Sequence, residues 1–241
     1  MISPYLMRFW AVVALSLCLV GCGKAASYRY KLTLAVNTPD GIKRGSSVVE
    51  VAFQDFSFPE RGTAHRLRGE ALYLDLGRGA RPLIALLTSQ LHPRPEKDWS
   101  WTRDAGADTR QMSRLYNIAP SKDFMDDVPR IAKMRGPRRI TPADLPDLVT
   151  FADANNPSTV IEVDPNNLQA ALGPNVAWSE ITLESTNEPI TNGLRTKLPW
   201  IEPYFQQNLR LDGSNHGFNK GLANTLDWAD FDRSGDLKRS R

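Results

Sequence analysis

The chain has 241 residues, with 30 Lys+Arg against 27 Asp+Glu for a formal net charge of +3, and 41% of the residues are hydrophobic. That length suits one domain, or two small ones, with a sizeable core. The near-balanced charge gives no case for a nucleic-acid partner, and 24% charged with 9% aromatic residues argues against wholesale disorder.

The first element is the N-terminus. Arg8 precedes a continuous apolar stretch over residues 9–21 (FWAVVALSLCLVG), and no acid occurs before Asp40. A membrane-crossing helix needs about 20 such residues. The shorter stretch here has the length of a signal-peptide hydrophobic region. It ends in Leu19-Val20-Gly21-Cys22. This four-residue motif resembles the lipobox of bacterial lipoproteins. The resemblance implies that residues 1–21 are removed as a signal peptide and that the Cys22 thiol carries a diacylglycerol, with the new amino terminus acylated. It implies a membrane partner through the lipid anchor and a place in the bacterial cell envelope, facing the periplasm. Gly23, where an Asp would signal inner-membrane retention, tilts the expectation toward the outer membrane. The alternatives are an ordinary secretory signal with a coincidental Cys22, or an uncleaved anchor. On the lipoprotein reading Cys18 leaves with the signal and Cys22 is lipidated. The folded part then has no thiol for a disulfide, a nucleophile or a zinc site.

Residues 22–27 are small and polar and read as a tether to one globular domain over residues 28–241. Residues 28–36 alternate, with Tyr28, Tyr30, Leu32, Leu34 and Val36 on one side, as a half-buried strand does. Thr38-Pro39-Asp40-Gly41 is a turn signal, and residues 46–54 predict a second strand. Residues 66–76 alternate again. Residues 82–88 (PLIALLT) are continuously apolar, which predicts a strand covered on both faces. The first half therefore predicts an antiparallel sheet of about four strands. In the middle, Met112, Leu115 and Tyr116 predict a short helix capped by Asp108, and residues 121–134 another interrupted by Pro129. Strands are expected over 148–152, 159–163 and 178–185, with a helix starting at Asp164-Pro165 and ending at Gly173. Residues 204–241 are rich in Asn, Asp and Gly and read mostly as loop. The sum is a β-rich α+β fold with short helices and proline-rich loops.

Residues 30–51 (YKLTLAVNTPDGIKRGSSVVEV) and 148–172 (LVTFADANNPSTVIEVDPNNLQAAL) are similar to uncharacterised envelope-targeted proteins of Gram-negative bacteria. The resemblance implies an envelope protein and brings no activity, ligand or catalytic residue.

Few residues gather into chemistry. His65, His92 and His216 are isolated in polar sequence and read as surface or loop histidines. Ser214 and Asp212 lie near His216, but no nucleophile elbow accompanies them. Asp230, Asp232, Ser234 and Asp236 resemble the start of a calcium loop. Position twelve, where a bidentate Glu belongs, is Arg241, so a solvated acidic tail is the commoner outcome of such a pattern. Lys133, Arg135, Arg138 and Arg139 form a cationic cluster able to meet phosphate or carboxylate groups. Pairing with Asp123, Asp126 and Asp127 would neutralise it. Trp99, Trp101, Trp178, Trp200, Tyr204, Phe205 and Trp228 could line a groove, but such aromatics are more often core residues. The reading is a non-catalytic binding or structural lipoprotein, with an envelope protein or wall partner and no cofactor beyond the lipid on Cys22. An envelope hydrolase acting on wall or lipid material is the alternative.

Overall fold

The alternating run around Tyr28 becomes the central strand of the molecule. The computed structural model describes residues 24–56, 62–89, 91, 101–102, 106–107, 109–217 and 221–235. Strand β1 (Ala25–Thr38) pairs antiparallel with β2 (Gly41–Phe56), from Ala25 opposite Gln54 to Thr38 opposite Gly41. Pro39 and Asp40 close this hairpin, and Gly41 takes a φ of 99°, where a side chain is unfavourable. Strand β3 (Gly62–Arg68) flanks β2. On the far side of β1 lie β11 (Ala177–Thr186) and then the two-residue edge strand β8 (Arg138–Arg139). Strand β1 begins three residues before Tyr28. Ala25, Ala26 and Ser27, expected in a tether, instead pair with Gln54, Phe53 and Ala52. Their small side chains give no alternation to read, so only the partner strand reveals them.

The inner face of this five-stranded sheet carries Tyr28, Tyr30, Leu32, Leu34 and Val36, all buried. The outer face is charged: Arg29 pairs with Glu50, Lys31 with Glu184 and Glu188, and Arg44 with Glu180. Such half-exposed pairs contribute little each. The sheet is held by its apolar face.

A second sheet has the order β10 (Val160–Glu162), β9 (Leu148–Phe151), β5 (Leu83–Ala85) and β4 (Leu72–Leu74). The strands of the first half therefore divide between two antiparallel sheets, and both sheets are completed from the second half. The apolar run at 82–88 explains the layering. Leu83, Ala85 and Leu87 face the core between the sheets. Ile84 and Leu86 face a second core with Phe151, Trp200, Leu226 and Phe231. The alternating stretch at 66–76 is broken between the sheets at Gly69, where φ is 145°. A Cβ on Gly69 would lie 3.0 Å from Val49 Cγ2 and 3.1 Å from Val49 Cα. The corner passes too close to β2 for any side chain.

Strands β6 (Trp101–Thr102) and β7 (Gly106–Ala107) form a separate small ribbon. The helices are short: α1 (Thr109–Leu115), α2 (Val128–Lys133), α3 (Leu168–Leu172), α4 (Leu194–Lys197), α5 (Ile201–Gln207) and α6 (Leu222–Thr225). Among the described residues no helix is long and apolar enough to cross a membrane. Pro129 sits in the first turn of α2, where its missing N–H is not needed, so the helix expected over 121–134 becomes a 3-10 turn (Phe124–Asp126) followed by α2. Asp164 does not cap α3. Its Oδ1 accepts from Asn166 N at 2.8 Å in a turn before the helix. The expected cap Asp108 lies outside the described residues.

The C-terminal region is more structured than its composition suggests. Beyond α5 and α6, a 3-10 turn (Trp228–Asp230) leads into a strap that pairs with the crossover at Gly69. Ala71 N donates to Phe231 O at 2.7 Å, Arg233 N to Gly69 O at 2.8 Å and Leu87 N to Asp230 O at 3.0 Å.

Candidate functional site

The cationic cluster lies where α2 runs into the edge strand β8. Lys133, Arg135, Arg138 and Arg139 are all exposed. The acids just upstream are engaged elsewhere. Asp123 and Asp126 hold Lys24 Nζ at 3.1 and 3.2 Å, and Asp127 holds Arg130 at 2.8 Å. Burial works to raise the pKa of Asp127, but donation from Ser121 and Arg130 holds its carboxyl below the usual range. The alternative of pairing with these three acids is therefore not realised. No ion pair joins the four cations to a carboxylate among the described residues.

The strand geometry splits the quartet. Arg138 pairs with Leu183 and Arg139 with Thr182. Adjacent strand residues face opposite sides of a sheet, so Arg138 shares the inner side with Leu183 and Arg139 the outer side with Thr182. Arg138 lies over the Tyr116 ring, 5.1 Å from its centroid. The Tyr116 hydroxyl donates to Gly136 O at 3.0 Å and accepts from Ser185 N at 2.8 Å, which ties the loop to β11. Burial raises the pKa of Tyr116, and the nearby charges of Arg138 and Arg135 work against that rise. Of the two, only Arg138 packs on the ring. Arg135 Nη1 also donates to Ala132 O at 2.7 Å and to Met134 O, carbonyls at the end of α2. Arg135 is also exposed, and an exposed guanidinium fixed at one nitrogen suits a phosphate or carboxylate. In the sequence Tyr116 shows only as a helix-face residue. Nothing local marks it as the brace of this loop.

The calcium candidates are placed in the interior. Asp230 and Asp232 are 1% and 0% exposed, so the segment is no solvated tail. Asp230 accepts from Thr88 Oγ1 at 3.0 Å and Asp227 N at 2.9 Å. Asp232 accepts from Arg195 Nε at 2.9 Å and Ser234 N at 2.7 Å. The Ser234 hydroxyl in turn accepts from Arg195 Nη2 at 3.0 Å. These oxygens are engaged by protein donors, the groups a calcium ion would have to displace. Asp236 lies outside the described residues. Glu70, which the sequence did not single out, belongs to the same cluster. It is 3% exposed and accepts from Gly193 N and Leu194 N at 3.1 and 2.9 Å. Burial raises its pKa, as does the charge of Asp232, against donation from those two N–H groups.

The Asp212–Ser214–His216 neighbourhood is built as a turn. Ser214 Oγ lies 2.6 Å from Asp212 Oδ1, and its contact with His216 is to the backbone carbonyl at 3.0 Å. Asn224 Nδ2 binds Asp212, Ser214 and the same carbonyl. His65 is exposed on β3 with its ring against Phe53, and His92 lies outside the described residues.

Among the described residues the aromatics do not assemble into a groove. Trp200 is buried against Phe151, Tyr204 and Phe231. Phe205 packs on Trp228, and Trp178 Nε1 donates to Pro165 O at 2.8 Å. Trp99 and the Trp101 side chain lie outside the described residues. A cavity of about 460 Å³ lies among Pro142, Leu145, Pro146, Glu162, Asp164 and Pro165. Asp147, also on its wall, accepts from Leu91 N at 2.8 Å.

No family model matches the chain, and no curated protein or solved structure matches it either.

Proposed function

We propose that the chain is a lipid-anchored protein of the bacterial cell envelope, held by Cys22, whose domain binds an envelope partner rather than transforming a substrate. The observation that carries this is Leu19-Val20-Gly21-Cys22 directly after the apolar run at 9–21. Each buried CH₂ contributes about 0.8 kcal/mol and a single acyl chain holds only marginally, so two or three chains on Cys22 make retention effectively permanent. Changing Cys22→Ser is expected to move the protein from the membrane pellet to the soluble envelope fraction. A variant that pellets as firmly as the parent overturns the anchor.

The partner-facing side on this reading is Arg138, which covers Tyr116, with Arg135 at the end of α2 and the exposed Lys133 close in sequence. Their chemistry fits anionic groups, phosphate or carboxylate. Pyrophosphate serves as a probe. The double change Arg135→Gln with Arg138→Gln is expected to weaken its binding by about tenfold or more in isothermal titration, since two charge-assisted contacts are lost. Equal binding by parent and variant removes this site.

A further inference from the structure

Two large apolar side chains stand out of the described surface, Ile42 at 62% exposure and Phe124 at 37%. They mark opposite ends of the five-stranded sheet. Ile42 pairs with Asn37 beside the β1–β2 turn. The Phe124 ring meets the edge of Phe53 with centroids 5.6 Å apart, and Phe53 pairs with Ala26 at the start of β1. The run of β1 from Ala26 to Asn37 puts about 36 Å between the two ends.

Phe124 is braced in place. Phe53 also stacks on Tyr28 at 6.2 Å and meets His65 at 5.1 Å. Phe124 opens a 3-10 turn capped by Asp123, whose Oδ1 accepts from Met125 N at 3.0 Å. The acids on either side of it in this turn, Asp123 and Asp126, both hold Lys24 Nζ. Lys24 is tied through its backbone as well, its carbonyl accepting from Asp55 N at 2.9 Å. Two residue steps, at most about 7 Å of chain, join Cys22 to Lys24. A lipid on Cys22 therefore brings the bilayer surface against this end of the sheet with almost no slack.

We infer that the rim formed by Lys24, Phe124 and the exposed Lys122 two positions before it rests on the bilayer, with the Phe124 ring entering the headgroup region and the Ile42 end pointing away. This rests on the Cys22 anchor proposed above. The ring carries the contact: an amphipathic surface seats its apolar side chains at the headgroup boundary, with cations beside them. Asp123 and Asp126 are partly neutralised by Lys24, so the rim neither requires nor repels anionic lipid strongly. The same orientation lifts the Arg135 and Arg138 side clear of the headgroups. It is tied to Ser185 and Leu183, opposite Tyr30 and Leu32, about 15–25 Å up the sheet from Ala25.

The two natural cysteines are Cys18 and Cys22, so the lipidated mature protein offers no other thiol to a label. Phe124→Cys, Lys122→Cys and Ile42→Cys are made singly and labelled with an environment-sensitive fluorophore. Each is reconstituted in phosphatidylethanolamine–phosphatidylglycerol vesicles containing a headgroup-spin-labelled lipid. Quenching at positions 122 and 124 is expected to exceed that at 42 by about threefold or more, because the far end lies beyond the reach of the headgroups. Equal quenching at all three positions, or none at 122 and 124, in protein that still floats with the vesicles overturns the orientation and leaves the anchor standing. Failure of parent and variants alike to float overturns the anchor and the orientation together. Lys122→Cys keeps the test valid should the change at Phe124 disturb its packing on Phe53.

Discussion

Replacing Asp232 with Ala is expected to lower the stability of the fold by about 3–5 kcal/mol, the usual consequence of breaking a buried charge pair from one side. Asp232 has no solvent exposure and binds Arg195 Nε at 2.9 Å. Arg195 comes from α4 and Asp232 from the C-terminal strap, and Glu70 binds the N-terminal end of α4 from the crossover between the sheets. One acid–base cluster therefore fastens three distant segments. Without the Asp232 carboxylate, Arg195 faces an unfilled interior, and Ser234 N loses its acceptor. The Arg195 side chain keeps 29% exposure and a second contact to Glu202 at 3.6 Å, which places the loss nearer the lower figure. Because both residues serve one network, Arg195→Ala added to Asp232→Ala should cost clearly less than the sum of the two single changes. Urea unfolding reads this as a lower midpoint at an unchanged slope. A loss under about 1 kcal/mol for Asp232→Ala would show that the strap is held by Phe231 and its backbone pairing alone.

Local pattern exposed the elements better than their partners. The alternation of Tyr28 to Val36 and the Pro39-Asp40-Gly41 turn follow directly from period and turn chemistry. So does the two-faced burial of Leu83 to Leu87. The assignment of strands to sheets does not. The outer neighbour of β1 is β11, paired through Leu32 and Leu183, and no local signal links segments so far apart in sequence. The C-terminal strap was hidden for a related reason. Asp230, Asp232 and Ser234 read as solvated because Asp and Ser usually are, and it is donors remote in sequence, Thr88 and Arg195, that help make their burial tolerable. The cationic cluster was visible as composition, but its division was not. A two-residue strand such as β8 carries no period to read, so the opposite facing of Arg138 and Arg139 emerges only from the pairing with Leu183 and Thr182.

The second large effect is a dependence on pH that runs against the usual acid sensitivity. Burial, and after it the charge of Asp227, push the Asp230 carboxyl up to about 6, against donation from Asp227 N–H and Thr88. In the unfolded chain the same group titrates near ~3.9. Between these two values the folded protein holds a proton that the unfolded chain has released. Stability from this group is therefore present at low pH and falls as pH rises through the window from about 4 to about 6. The full loss is about 3 kcal/mol, at roughly 1.4 kcal/mol per pH unit of separation. Asp230→Asn removes the titration while preserving the shape. The amide oxygen can accept from Asp227 N, and the amide nitrogen can donate to Thr88 Oγ1. The variant should be more stable than the parent by about 1–3 kcal/mol at pH 7, with the gap closing as pH falls to 4.5. The carboxyl of Asp127, held below the usual range, contributes the opposite slope in parent and variant alike, so the difference between the two isolates Asp230. Thermal melts of both proteins across that range decide the matter. Parallel curves would mean that Asp230 stays ionised in the folded protein and that Thr88 and the Asp227 N–H compensate for its burial.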